Sequence, residues 1–276
     1  MKIFKVSLLD KKLWTNYAKF ASVSSVIVSL VLAFVDFEQC IKYIIGGCYI
    51  GTLLVVFAIY YLMANFKNSA KLRINNSTVN VFYGDIFKQE ELKVIAFNEY
   101  FDTIVDDKII SHASLNGQYL TDHITNIDQL DLDIDADERL KDQIVDTNEK
   151  RRRGKKIKYK LGSIHLHGNY ILLAFSHFDE DNRARLTLQE YTDCLMNMWN
   201  EIDVIYSGKT VSIPLLGNGV TRFKDCEVNE QELLEIILWT YRISKVKFTY
   251  PACLNIVLHE GIRDKINLYR LKGEHE

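Results

Sequence analysis

Two uncharged apolar stretches open the chain, and short apolar runs alternating with helical stripes fill the rest. From Tyr43 to Phe66 there is no charged residue. As a helix rising about 1.5 Å per residue this stretch reaches roughly 36 Å, enough to cross a bilayer core of about 30 Å. Tyr43 and Tyr49 lie toward one end and Tyr60 and Tyr61 toward the other, as interfacial aromatic belts do. The stretch Phe20 to Val35 is shorter, roughly 24 Å as a helix. Snorkelling of Lys19 and Asp36 and local thinning of the bilayer make up the difference. The pattern therefore predicts spans at about 20–35 and 43–66. The link Asp36 to Lys42 is too short for anything but an antiparallel hairpin. No small-residue cleavage site separates the two stretches, so the first reads as an anchor rather than a signal peptide. Lys2, Lys5, Lys11, Lys12 and Lys19 precede the hairpin and Lys67, Lys71 and Arg73 follow it. The positive-inside bias then places both termini, and a large domain over 67–276, in the cytoplasm. Gly47 and Gly51 form a GxxxG pair, and Ala21, Ser25 and Ser29 share one face of the first helix. Two readings of these stripes stand: packing within one hairpin, or self-association of several chains.

After Lys71 the period changes. VNVFYGDIF, LKVIAFN, YILLAFSHF, TVSIPLL and CLNIVLHE read as strands, and their near-continuous apolar character suits a sheet covered on both faces. TLQEYTDCLMNMWNEIDVIYSG places Leu195, Met198, Trp199 and Ile202 at helical spacing, with a capping box at Thr187 and Glu190. NEQELLEIILWTYRI repeats the signal with Asn229 and Glu232. The fold class expected is α/β, a mixed sheet between helices preceded by a transmembrane hairpin.

Composition narrows the chemistry. A formal net charge of -2 gives no bulk attraction to nucleic acid. Five cysteines with no CxxC pair fit neither a zinc site nor a disulfide framework. Asp131, Asp133, Asp135 and Asp137 alternate, but the glycine and terminal glutamate of a calcium loop are missing. The basic run 151–160 reads either as a solvated insertion or as a contact for phosphates, anionic lipid or an acidic neighbour. His165 and His167 share a strand face without an evident third ligand, so no metal is expected.

Nucleophile elbows, HExxH and Walker loops are absent from the sequence. Three strand-end segments converge on another chemistry. Asp85 in Gly84-Asp85-Ile86 offers a carboxylate to an adenine amino group, beside a backbone N–H. Phe97-Asn98 ends the next strand. Pro214-Leu215-Leu216-Gly217-Asn218-Gly219-Val220-Thr221-Arg222-Phe223 follows an apolar strand. Its two glycines allow a turn whose N–H groups bind an anion, and Arg222 adds charge toward a diphosphate. Ligands of α/β sheets sit at such strand ends.

The order GDI, strand-Asn and Pro-strand with a glycine loop resembles a macro domain. FNEYFDTIVDDKIISHASLNGQYL, LLAFSHFDEDNRARLTLQEYTDCLMNMWNEID and IPLLGNGVTRF more closely resemble the macro-like domain of membrane effectors in the Thoeris antiphage system, across most of 71–272. The resemblance implies a bacterial inner-membrane effector with a cytoplasmic domain, partnered functionally with a TIR-domain enzyme that makes an ADP-ribose-derived signal from NAD. Binding of that signal would drive homo-oligomerisation, damage to the lipid bilayer and abortive infection. By matching position, Asp85 would meet the adenine, Asn98 the distal ribose region, and Gly217 to Phe223 the diphosphate, with Ile86 and Leu216 also in the ligand site. No cofactor is implied beyond the ADP-ribose-type signalling nucleotide itself. Phe101 stands where catalytic macro domains carry a second Asn, a position that would place it in the ligand site, and DTIVDDKIIS replaces their glycine run. This favours a binding module over the alternative, a membrane-tethered ADP-ribosyl hydrolase. It leaves Asp102 and Asp107 as candidates to read an amine on the ligand.

Overall fold

A computed structural model describes residues 4–179, 181–219 and 221–271. Its contacts divide into two units, one of residues up to Asn68 together with Asn267–Arg270, the other of Ser69–Ile266 with Leu271 onward.

The first unit is a helix pair, α1 (Lys11–Phe34) and α2 (Gln39–Asn65). Both helices begin earlier than the charge-free stretches. Asp10 caps α1 by accepting from Leu13 N–H at 3.0 Å, which starts the helix before its lysines rather than after them. The helices run antiparallel, as their side-chain links show. Tyr17 donates to the Leu53 carbonyl, and the Tyr49 hydroxyl bonds Ser24 and Ser25 at 2.9 and 2.8 Å. Tyr49 thus faces α1. Gly47 and Gly51 lie on the opposite side of α2, and a Cβ at either would meet nothing within 4 Å. The glycine pair is therefore not what brings α1 against α2. Both helices are long and apolar enough to cross a membrane, and the most apolar part of each is uncovered. At the other end of the pair, Val6, Leu13 and Ala64 are buried with Phe57, Tyr60, Tyr61 and Tyr269 packed on them. Asn65 fixes the entering chain by accepting from Lys5 and Val6 N–H at 2.7 and 2.8 Å.

The second unit is built on a nine-stranded mixed sheet. Its strands are β1 (Ser69–Ile74), β2 (Ser77–Tyr83), β3 (Leu92–Asn98), β6 (Ile164–His167), β7 (Tyr170–Phe178), β8 (Ala184–Leu186), β9 (Val211–Pro214), β10 (Arg222–Phe223) and β11 (Leu254–Leu258). A separate hairpin pairs β4 (Ile144–Thr147) with β5 (Ile157–Tyr159). The order is β1-β2-β11-β9-β3-β7-β8-β10, with β6 also on β7. The run β2-β11-β9-β3-β7 is parallel throughout, so its carboxyl ends share one edge.

Alternation along each strand sends neighbouring residues to opposite faces. Ile95 and Phe97 of β3 and Leu172 and Ala174 of β7 form one core with Tyr119, Leu130 and Ile134. Those last residues come from the short helical stretch α3 (Leu115–Gln118) continuing as a wide turn over Tyr119–His123, and from α4 (Ile127–Ala136). A one-turn helix, α5 (Glu138–Lys141), follows. The long helices are α6 (Leu188–Ile205) and α7 (Glu230–Ile243), and each starts at a complete capping box. They bury the stripe Cys194, Leu195, Met198, Trp199 and Ile202, and the stripe Leu233, Leu234, Ile237 and Tyr241. Asp131, Asp133 and Asp135 lie on α4 and Asp137 stands between α4 and α5, and Asp131 pairs with Lys155 at 2.7 Å. The basic run is largely neutralised by acids of its own chain: Arg151 by Asp102, Arg153 by Asp106, Lys156 by Glu149 and Lys158 by Glu99. His165 and His167 hydrogen-bond Asp137 and Tyr119, and no group of metal-ligating side chains occurs among the described residues.

Candidate functional site

At the carboxyl edge of the parallel strands lies a cleft of about 920 Å³. Each strand contributes residues near its end or just past it: Gly84 and Asp85 after β2, Asn98 from β3, Ser176 from β7, Pro214 from β9, Val257 and His259 from β11. Phe97, Ile110, Phe175 and Phe178 supply apolar wall. The volume suits a molecule of nucleotide size.

One end of the cleft is Asp85. It starts a single turn over Ile86–Lys88, with Oδ1 accepting from Phe87 N–H at 2.9 Å. Among the described residues Ile86 N–H has no hydrogen-bond partner. A carboxylate beside a free N–H pairs an acceptor with a donor, as an adenine edge requires. The glycine loop follows β9. Gly217 has φ +86°, a left-handed conformation that side chains resist, and Tyr191 pins the loop by donating to the Leu216 carbonyl at 3.0 Å. Asn218 N–H closes a turn onto Leu215, whereas the N–H groups of Gly217 and Gly219 have no partner among the described residues. Free amides in a tight turn attract an anion. A Cβ at Gly219 would meet nothing within 4 Å, so the approach to the loop is open there.

Eight of the residues singled out from sequence line this one cleft: Asp85, Ile86, Asn98, Leu216, Gly217, Asn218, Gly219 and Thr221. Asp107 and Arg222 line an adjoining chamber of about 630 Å³ that shares Ile109, Ser111, Phe178 and Ala184 with it. This chamber is basic, with Lys108, Arg183 and Arg185 also in its wall. Asp107 is exposed and is held below the usual carboxylate range, first by the backbone N–H of His112 and then by the His112 side chain. Val220 lies outside the described residues.

Three expectations need correction. Phe101 is fully buried, packed edge-on against Tyr159 at 5.4 Å with φ +51°, and lines neither cavity. It is core because its left-handed turn aims the ring back under the sheet. Asp102 is also fully buried and accepts from both terminal nitrogens of Arg151, so it is not available to a ligand amine. Phe223 pairs in β10 beside β8 and packs edge-on on Tyr191 at 5.5 Å, which anchors the loop rather than facing the cleft. Asn98 lines the cleft, but its side chain is engaged with its own turn. Oδ1 accepts from Tyr100 and Asp102 N–H at 3.0 and 3.3 Å, and Nδ2 donates to Asp102 at 2.8 Å. Sequence reasoning missed Ser176, His259 and Ser114. His259 stands just past the end of β11, where the strand-end rule would have found it, and Ser176 lies two residues inside β7, level with Asn98 of β3.

A mixed α/β sheet with a nucleotide-sized cleft across its parallel carboxyl edge is a macro-type arrangement. Residues 79–259 match the family described as Thoeris protein ThsA, Macro domain. The chain is 43% identical over 248 residues to Thoeris protein ThsA of Bacillus amyloliquefaciens (strain Y2), covering 89% of this chain and 84% of that relative. The chain belongs to the Thoeris ThsA family. Solved structures of the Oceanobacillus iheyensis macrodomain are similar to it at lower identity. The one with ADP is 13% identical, covers 73% of this chain and 93% of its own, and has a TM-score of 0.46. The one with MES bound is 15% identical with the same coverage and a TM-score of 0.43.

Proposed function

We propose that the chain is a membrane-anchored effector of antiphage defence, whose cleft binds an ADP-ribose-derived signal made by a TIR-domain enzyme. Occupancy then drives oligomerisation and disruption of the bacterial inner membrane. The observation that carries the reading is the joining of Asp85 and the Gly217–Gly219 amides by one cleft. An acceptor-donor pair for adenine stands with a free-amide turn for a diphosphate, on a chain that also holds two uncovered apolar helices. Membership of the ThsA family supports the same reading. Binding rather than turnover is favoured because the Asn98 amide is bonded within its own turn and no glycine run follows it. The signal shifts the chain toward assembly only if it binds the assembled state more tightly than the resting one.

The test uses the full chain in liposomes loaded with a self-quenched dye. ADP-ribose, or nucleotide extracted from infected cells, is expected to bind and to release dye. Gly219→Glu places a carboxylate against the free amides without a steric cost to the fold. It is expected to lose about tenfold or more in affinity, some 1.4 kcal/mol, and to abolish leakage at the wild-type dose. Wild-type leakage from that variant refutes the cleft as the sensor, and hydrolysis of ADP-ribosylated protein by the chain would favour the hydrolase.

A further inference from the structure

We propose that Arg151, from the basic run between β4 and β5, is a positioning residue for this cleft. Its guanidinium holds two turns in one geometry: 98–102, which carries Asn98, and 181–183, which walls the basic chamber. The inference deepens the functional reading above and rests on it for the identity of the ligand.

Arg151 grips Asp102 in a two-pronged pair, Nη1 to Oδ1 at 2.9 Å and Nη2 to Oδ2 at 2.6 Å. The two side chains are 8% and 0% exposed, so solvent does not weaken the contact. The carboxylate is completed by Lys155 N–H at 2.7 Å and by the Asn98 amide at 2.8 Å. Arg151 also donates to the Lys155 carbonyl at 2.6 Å and to Asn182 Oδ1 at 3.1 Å, and lies 4.0 Å from the centre of the Tyr100 ring. The surrounding loop is shaped to this carboxylate. Gly154 has φ +81°, and any side chain there would collide with Asp102 Oδ1.

What the guanidinium bridges is the cleft wall. Asn98 lines the main cleft and Asn182 the adjoining chamber. Phe101 beside the first and Asn182 itself are in left-handed conformations, at φ +51° and +56°. Such backbone costs energy and persists where surrounding contacts over-determine it. Asp102 is the contact that holds Asn98 from the far side, and Arg151 is what holds Asp102. A lysine in its place keeps the charge but cannot reach both carboxylate oxygens and Asn182 together.

The full chain in detergent micelles tests this with wild type, Arg151→Lys, Arg151→Gln, Asp102→Asn and the Arg151→Gln/Asp102→Asn double variant. Two readouts are taken: amide hydrogen exchange without nucleotide, and ADP-ribose affinity by calorimetry. Arg151→Lys is expected to leave α6 protected while exchange in 98–102 and 181–183 rises about tenfold and affinity falls about tenfold. Because the two side chains act as a unit, the double variant is expected to bind no worse than either single change. Unchanged exchange in both turns of Arg151→Lys overturns the proposal, as does affinity within about twofold of wild type despite faster exchange. If wild type does not bind ADP-ribose, the functional reading fails separately, and exchange alone decides whether Arg151 holds the turns.

Discussion

On β6 the imidazole of His165 bonds Asp137 through Nδ1 at 2.8 Å, while Nε2 is buried without a hydrogen-bond partner among the described residues. A neutral ring satisfies this arrangement, since a proton on Nε2 would be a buried donor facing nothing. Burial pushes the His165 pKa below the ordinary histidine value, and the bond to Asp137 opposes it only in part. The sign of the linkage follows. The unfolded chain takes up a proton near pH 6.5 and the folded one resists it. The contribution to stability is therefore present above that value and is lost as pH falls through it toward the folded pKa. The urea midpoint is expected to drop between about pH 7.5 and 5.5, and His165→Gln to flatten the drop. Equal slopes for the two proteins would show that this ring is not responsible.

At the scale of elements, α6 depends on a reciprocal cap. Glu190 N–H donates to the Thr187 hydroxyl at 3.2 Å, and Thr187 N–H to the Glu190 carboxylate at 2.7 Å. Thr187→Ala is expected to cost about 1 kcal/mol, read as a lower thermal midpoint, with α7 and its own box unaffected. Both boxes were legible in the sequence because a cap is made by residues three apart. The five principal strands were legible for a similar reason, as runs of apolar residues bounded by turns. Lys93 was not, for nothing in LKVIAFN marks it as inward. It is nonetheless buried, donating to the Gln89 and Glu91 carbonyls with its amine 5.0 Å from the Tyr170 ring centre. The candidate site divides the same way. Asp85 and the glycine loop were readable because each is a local turn at a strand end. Asp102 was misread as ligand-facing because its partner, Arg151, comes from a hairpin far along the chain. Phe101 was misread because a left-handed backbone reverses where its side chain points, and residue identity alone does not announce that.

At the scale of the molecule, the helix pair presents Gly47 and Gly51 away from α1. On the proposed reading these glycines serve contacts between chains, where small residues let helix backbones approach. Gly47→Ile with Gly51→Ile is expected to leave the hairpin folded and ligand affinity of the free cleft intact, while weakening ligand-driven association in sedimentation or cross-linking. Association at the wild-type dose in that variant would place the chain-to-chain contact elsewhere.

The chain changes unit three times along its length. The chain leaves the helix unit after Asn68, returns to it for Asn267–Arg270, and departs again at Leu271. In that brief return Asn267 donates to the Lys5 carbonyl, and Asn16 donates to the Tyr269 hydroxyl. A fragment beginning at Ser69 would therefore still trail Asn267–Arg270, with Lys5 and Asn16 gone. Trimming it after Ile266 would instead forfeit buried Leu271. Because of those three changes of unit, no single cut in the chain separates one unit cleanly from the other.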